Sequence, residues 1–179
     1  MSEPQTPHGS QGPDLKFRVI GPNDAVLVSR LVGEAFERNN EAHIVGALRI
    51  SDDHLLELVA SDGTNILGQV VFSKARVTEG DATFKIVVLA PLAIRPDMQR
   101  IGTALVQEAL KRLKRDNVDR VLAVGQPAYF VRFGFSADLG EKLDTRWSGP
   151  DLLALELTEG ASNRLPATVA VNEVLKKAK

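Results

Sequence analysis

Residues 83–124 read TFKIVVLAPLAIRPDMQRIGTALVQEALKRLKRDNVDRVLAV, and the spacing of the apolar positions changes twice along them. Residues 83–94 read as a strand rich in Ile, Val and Leu. Residues 97–102 form a connection, and from about Thr103 to Arg115 the apolar positions Val106, Ala109, Leu110 and Leu113 recur at helical spacing. Residues 120–124, RVLAV, read as the next strand. Strand, helix, strand in that order is a crossover, so the two strands are predicted to lie parallel in one sheet.

Upstream of the crossover the chain reads as a meander. Residues 55–60 and 66–77 are strand-like, joined by a hairpin turn at Ser61-Asp62-Gly63 where glycine can take positive φ, and Glu79-Gly80-Asp81 turns into the crossover strand. Residues 16–20 read as a short strand. Gly21-Pro22-Asn23-Asp24 then supplies a turn and an N-cap for a helix whose apolar face is Val28, Leu31, Val32, Ala35 and Phe36. A second helix over residues 41–49 presents Ile44, Ala47 and Leu48 before Ser51-Asp52-Asp53 ends it. Downstream, short helical and strand segments are expected near residues 127–132 and 152–157. This order predicts an α/β fold of the α+β type, with a mixed, mostly antiparallel sheet flanked by helices. Residues 1–14, MSEPQTPHGSQGPD, have no large apolar residue after the initiator and are expected to be a disordered tail. Residues 15–179 are expected to form one domain, without internal repeats.

Composition removes several function classes. The 179 residues are 44% hydrophobic and 25% charged, as in an ordinary globular domain. With 22 Lys+Arg against 23 Asp+Glu, the formal charge of −1 lacks the basic excess of a nucleic-acid or membrane binder, and no basic stripe is interleaved with aromatics. The absence of cysteine excludes disulfides, thiolate metal sites and a cysteine nucleophile. His8, His43 and His54 are too scattered for a metal cluster, so no metal is expected. The longest apolar run, residues 86–94, is half of a membrane span, and residues 1–14 lack the apolar stretch of a signal peptide, so the protein reads as cytoplasmic.

Three segments can carry chemistry. Residues 96–104, PDMQRIGTA, place Gln99, Arg100, Gly102 and Ala104 between a strand and the first turn of a helix. Free N–H groups and a small loop there suit a pyrophosphate, although the same residues also suit an ordinary connection. Pro91, inside IVVLAPLAI, removes a ladder donor and belongs at an edge or a bulge. A strand that parts from its neighbour at that point leaves N–H and C=O groups for an amide-bearing ligand arm, and an N–H for an oxyanion. Residues 126–135, QPAYFVRFGF, follow the crossover directly and contain the sole tyrosine; their aromatics also read as core filling.

Together these segments resemble the GNAT superfamily of acetyl-CoA-dependent N-acetyltransferases. Within it they are similar to a small bacterial group of predicted N-acetyltransferases with a Gly-His-Pro-x-Tyr-Tyr-x-Arg-Phe-Gly-Phe segment, which residues 125–135, GQPAYFVRFGF, nearly reproduce. Gln99-Arg100-Ile101-Gly102-Thr103-Ala104 fits the superfamily's [QR]-x-x-G-x-[GA] pyrophosphate loop, and Ala90-Pro91-Leu92-Ala93-Ile94 fits its pantetheine-holding strand. Residues 41–49 and 68–74 match the group as well, and the likeness covers about residues 16–157. The resemblance implies the GNAT acyltransferase fold and acetyl transfer from acetyl-CoA to a primary amine that attacks the thioester directly. Leu92, Ala93 and Ile94 would pair with the pantetheine amides, and Gln99, Arg100, Ile101, Gly102, Thr103 and Ala104 would hold the pyrophosphate. An N–H near Ala93 or Ile94 would polarise the thioester carbonyl, a contribution of roughly 3 kcal/mol to the barrier.

The chain also departs from the family pattern. Either Ala104 stands in for the loop's second glycine, or Gly102 is that glycine and the loop is two residues short. The family's acid tyrosine falls on Phe130, so Tyr129, rotated by about 100° on a helical turn, is either the general acid or a packed aromatic. The histidines often found after Gly68 and Gly125 are Gln69 and Gln126, which cannot relay protons as bases. A general base for the amine is sought among Glu34, Glu37 and Glu41, on the helices expected to wall the acceptor site; each also reads as a solvated position. Lys111, Arg112, Lys114 and Arg115 read as a solvated helix end within reach of a 3′-phosphate, His43 and His54 as surface or interface residues, and Trp147 as an anchor against the sheet or an acceptor wall. A degenerate CoA-binding or interaction domain remains the alternative. The acceptor is unnamed by the sequence, and residues 152–179 are candidates for a homodimer interface.

Overall fold

A computed structural model describes residues 15–37 and 40–177; the tail expected over residues 1–14 lies outside the described residues. In chain order the elements are β1 (Lys16–Val19), α1 (Ala25–Phe36), α2 (Asn40–Arg49), β2 (His54–Ser61), β3 (Ile66–Glu79), β4 (Ile86–Ile94), α3 (Gln99–Arg115), β5 (Arg120–Val124), α4 (Pro127–Phe130), α5 (Ala137–Gly140), β6 (Leu143–Asp144), β7 (Leu152–Glu156) and β8 (Ala167–Ala170). The main sheet runs β1-β2-β3-β4-β5-β7. Its pairs are antiparallel except β4 with β5, the parallel pair that the crossover predicts. β8 extends the long strand β3 on a second ladder and pairs in parallel with β6. β6 and β8 are too short to show a period, and the sequence reading missed both.

The two faces of the sheet are covered by different helices, as alternation along each strand requires. Val59, Val71, Ile86, Val88 and Leu122 join the core under α1 and α2, which contribute Val28, Leu31, Val32, Ile44, Val45 and Leu48. Leu58, Val70, Phe72, Val87, Leu89 and Val121 face α3, which contributes Leu105, Ala109 and Leu113. The helical positions expected to be apolar are therefore buried, apart from Ala35, Phe36, Ala47 and Leu110, which are partly so.

β4 changes phase once. Phe72 lies opposite Leu89 and Val70 opposite Leu92, so two residues, Ala90 and Pro91, face the single Val71. This bulge accommodates the residue that cannot donate to a ladder and shifts the alternation by one. Beyond it Leu92 and Ile94 pack toward α3 while Ala93 enters the opposite core. On the other edge, pairing with β5 covers Ile86–Leu89 and stops. The sheet is thus split from Ala90 onward.

α3 begins four residues earlier than its periodicity predicts. A 3-10 turn at Pro96–Met98 leads directly into it, so Gln99, Arg100, Ile101 and Gly102 form its first turn rather than a loop. Glycine is weak in helices, but here it faces inward: a Cβ on Gly102 would sit 3.0 Å from the Tyr129 hydroxyl and 3.1 Å from Ile94 Cγ1. On the other side of the same isoleucine, a Cβ on Gly68 would sit 2.8 Å from Ile94 Cδ1. The two glycines clasp Ile94 and let α3 approach the open half of β4.

Candidate active site

A cavity of about 520 Å³ opens where the sheet splits. Val88, Leu89, Ala90, Pro91, Leu92 and Ile94 supply its β4 wall, joined by Val124 at the end of β5 and by Gln126 just before α4. Its lining draws on both cores. Ala35, Phe36, Ala90 and Trp147 pack with the α1/α2 side, whereas Leu92, Ile94, Tyr129 and Phe130 pack with the α3 side. The cavity therefore passes through the sheet, and two molecules can meet in it from opposite faces.

The register fixes which backbone groups face the opening. Arg95 donates its N–H to the Leu67 carbonyl at 3.0 Å, beside the Ile94–Gly68 pair. By the two-residue alternation of an antiparallel ladder, the Ala93 N–H points to β3, while those of Leu92 and Ile94 point to the open side. Of the three strand residues picked from sequence, Leu92 and Ile94 line the cavity and Ala93 is buried in the α1/α2 core. The strand N–H groups left open to the cavity are therefore those of Leu92 and Ile94, while that of Ala93 belongs to the ladder with β3.

The first turn of α3 lies beside this edge, with Gln99 lining the cavity and Arg100 exposed. Met98 holds the N-cap position without a side-chain capping bond. The N–H groups of Arg100 and Ile101 precede the first intrahelical bond, whereas those of Thr103 and Ala104 belong to the helix ladder. The positive end of a 17-residue helix with free donors is suited to an anion. Thr103 and Ala104 are half-buried one turn further on, and Gly102 is buried. Lys111 to Arg115 lie at the far end of α3, roughly 14–20 Å from Gly102 along the axis. There Arg112 is held by Glu108 at 2.9 Å and by the Phe17 carbonyl at 3.3 Å.

α4 brings Tyr129 into the cavity wall despite the one-residue offset. Gly125 (φ 154°) and Pro127 at the first helical position make the tight entry into this helix. The Tyr129 hydroxyl is buried without a hydrogen-bond partner among the described residues. Burial raises its pKa above the ordinary phenol value, opposed by the Arg132 guanidinium 4.9 Å from the ring centroid, so the hydroxyl keeps its proton. Phe130, the family's tyrosine position, is buried against Phe135 and also touches the cavity.

The three candidate glutamates separate. Glu34 is exposed and 3.5 Å from Arg30, and Glu37 is exposed at the end of α1 in a left-handed conformation. Glu41, in the first turn of α2, is 3% exposed and lines the cavity. Gln126 is exposed at the rim. Gln69 does not reach the cavity; it is fully buried and donates to Glu57 at 3.1 Å, and Glu57 is gripped by Arg49 through two 2.7 Å bonds. His54, half-buried, lies 3.7 Å from the same carboxylate, and His43 is exposed. Trp147, read as either an anchor or an acceptor wall, packs on the α1/α2 core and lines the cavity. Phe36 and Ala35 were read only as core, because helical period carries no information about an adjacent void.

A model of the Acetyltransferase (GNAT) family matches residues 26–135, and the chain belongs to that family. It is similar to an N-acetyltransferase of uncharacterized role from Escherichia coli K12, YhbS, with 35% identity over 140 residues, 76% of this chain and 83% of the relative. A second Escherichia coli K12 N-acetyltransferase, YjhQ, is 26% identical over 132 residues, 70% of this chain and 72% of the relative. The crystal structure of Escherichia coli YhbS in complex with CoA superposes with a TM-score of 0.86 at 30% identity, covering 96% of this chain and 97% of that one. A GNAT acetyltransferase from Brucella melitensis, in complex with acetyl-CoA, shares the fold at TM-score 0.73 and 24% identity over 92% of this chain and 99% of that one. Among the described residues, no group of His, Asp or Glu is arranged to hold a metal, and no helix is long and apolar enough to cross a membrane.

Proposed function

We propose that the protein moves an acetyl group from acetyl-CoA to a primary amine, with both substrates bound at once. The observation that carries this reading is the cavity through the split sheet, which joins an open strand edge and an uncapped helix N-terminus to a buried carboxylate. Acetyl-CoA enters on the α3 side. Its pantetheine amides pair with the open groups of Leu92 and Ile94, and its pyrophosphate meets the N–H groups of Arg100 and Ile101. Gln99 borders the arm at the cavity wall, Thr103 and Ala104 form the next turn, and Ala104 takes the small-residue position, since Gly102 is occupied with Ile94 and Tyr129.

The amine enters on the α1/α2 side, where Glu41 takes its proton and frees the lone pair. Nitrogen then attacks the thioester carbon. The oxygen gains charge and is stabilised by the N–H of Leu92 or Ile94. The C–S bond breaks as Tyr129 donates its proton to the departing thiolate; the nitrogen then releases its second proton to solvent, from which Tyr129 is reprotonated. Direct transfer needs no enzyme nucleophile, in keeping with a chain that has no cysteine. The same absence supports a reducing cytoplasm as the compartment.

Calorimetric titration with acetyl-CoA tests the cofactor half, with Arg100→Glu as control because this exposed position accepts the change and sets a carboxylate beside the pyrophosphate. Micromolar binding weakened at least tenfold in the variant is the expected result. Binding unaffected by the variant, or none at millimolar ligand, overturns the assignment. Mass spectrometry of an amine panel then identifies the amide formed.

A further inference from the structure

We infer that Gly68, a residue of β3 outside the cavity, is a positioning residue for acetyl-CoA that acts through Ile94; this inference rests on the cofactor site proposed above. Gly68 is buried, lies opposite Ile94 in the β3–β4 ladder and does not line the cavity. Glycine inside a strand loses packing and chain entropy, so its place there needs a cause. Backbone conformation supplies none, since Gly68 is not among the glycines with positive φ. Space does: a Cβ on Gly68 would meet Ile94 Cδ1 at 2.8 Å, Leu105 Cδ2 at 3.3 Å and Ile101 Cγ2 at 3.6 Å.

These neighbours differ in kind. Leu105 is fully buried and Ile101 partly so, both on α3 and packed into the core on this face of the sheet. Ile94 lines the cavity, and its δ-methyl is the free end of a side chain that can turn. Retreat toward the helix is barred, because the Cβ position of Gly102 lies only 3.1 Å from Ile94 Cγ1 and 3.5 Å from Cδ1. One direction is left, into the cavity along the open edge proposed to hold the pantetheine arm. A methyl added at Gly68 therefore leaves the fold standing and narrows the passage of that arm. The bare backbone of Gly68 keeps Ile94 drawn back against β3 and the passage clear.

The test titrates the full chain with acetyl-CoA by calorimetry and records a thermal melt of each variant beside it. Gly68→Ala is expected to weaken binding at least tenfold while still melting cooperatively near the parent temperature. The same change on an Ile94→Val background, where the δ-methyl is gone, is expected to weaken binding less than twofold, the coupling that a double-mutant cycle reads between residues in contact. Gly46→Ala, whose added Cβ meets no atom within 4 Å, serves as the comparison and is expected to bind as the parent does. Should Gly68→Ala not fold, Gly102→Ala presses on the same isoleucine from the helix side and takes its place in the cycle. Binding that is unaffected, that weakens equally in both backgrounds or that falls only in step with the melting temperature overturns the inference alone. No binding of acetyl-CoA by the parent protein overturns the underlying reading with it.

Discussion

The first half of β4, Ile86–Leu89, is held on both edges, by β3 and β5; the second half, Ala90–Ile94, is held only by β3. Both halves are apolar and belong to one strand, yet one is core and the other lines a cavity. Where the ladder closes, every backbone group is used and the side chains interlock at full burial, so that half contributes stability and little chemistry. Past the bulge at Ala90-Pro91, unpaired donors and acceptors face a cavity and a ligand can complete the ladder. The same contrast recurs in buried charge. Glu41 lies at the open end beside a cavity, whereas Arg120 lies at the closed end, fully buried with its guanidinium 3.6 Å from Glu156 and 5.4 Å from the Phe84 ring centroid.

The contrast is broken most severely at the open end. Glu41→Gln is expected to lower kcat/KM by about 10²–10⁴-fold, the range of a general base, while calorimetry finds acetyl-CoA affinity intact and the melting temperature unchanged. At the closed end, Leu122→Ala removes a fully buried side chain on β5 opposite Val88 and should cost about 2–5 kcal/mol in denaturant unfolding, with the folded fraction keeping its KM for acetyl-CoA. Equal loss of catalysis and stability in both variants would erase the distinction.

Tyr129→Phe sharpens it and should lower kcat about 10²-fold with little effect on stability, as steady-state assays and thermal melts would read together. As the sole tyrosine, Tyr129 also reports its own titration by ultraviolet difference spectroscopy. Its phenol is raised by burial, so phenolate is expected to form only above pH 10. The sign follows from linkage. With the folded value above the unfolded one, Tyr129 contributes its full stabilisation below about pH 10 and loses it as pH rises through the folded value. The smallest effect is expected from Arg120→Met. The three guanidinium nitrogens of Arg120 make no hydrogen bond among the described residues, and burial lowers its pKa against the pull of Glu156. An apolar replacement of similar volume should therefore melt at or slightly above the parent temperature, whereas Glu156→Gln should melt below it.

Much of this was legible in the sequence. The crossover, the hairpins, the apolar faces of α1 and α3 and the break at Pro91 follow from period, turn residues and a missing donor, all properties of neighbours along the chain. The site was legible as segments: Leu92, Ile94, Gln99 and Tyr129 all reach the cavity. Local signals ran short in three places. The direction of the Ala93 N–H depends on the register with β3. Gly102 read as a phosphate-loop glycine, and the fold adds that its missing side chain makes room for Ile94 and Tyr129. Phe36 and Trp147, more than a hundred residues apart, carry no joint signal until the fold sets them around one void.

By itself, then, the amino-acid sequence determined the α/β crossover and the place where the sheet must part, because each rests on short-range patterns, apolar spacing and proline geometry; acyl transfer from CoA came from its resemblance to a family. Tertiary structure alone decided which of three glutamates is buried beside the cavity, that Tyr129 reaches its wall and what lines its α1/α2 half. Those outcomes depend on desolvation and contact between residues distant in sequence, which no local period encodes.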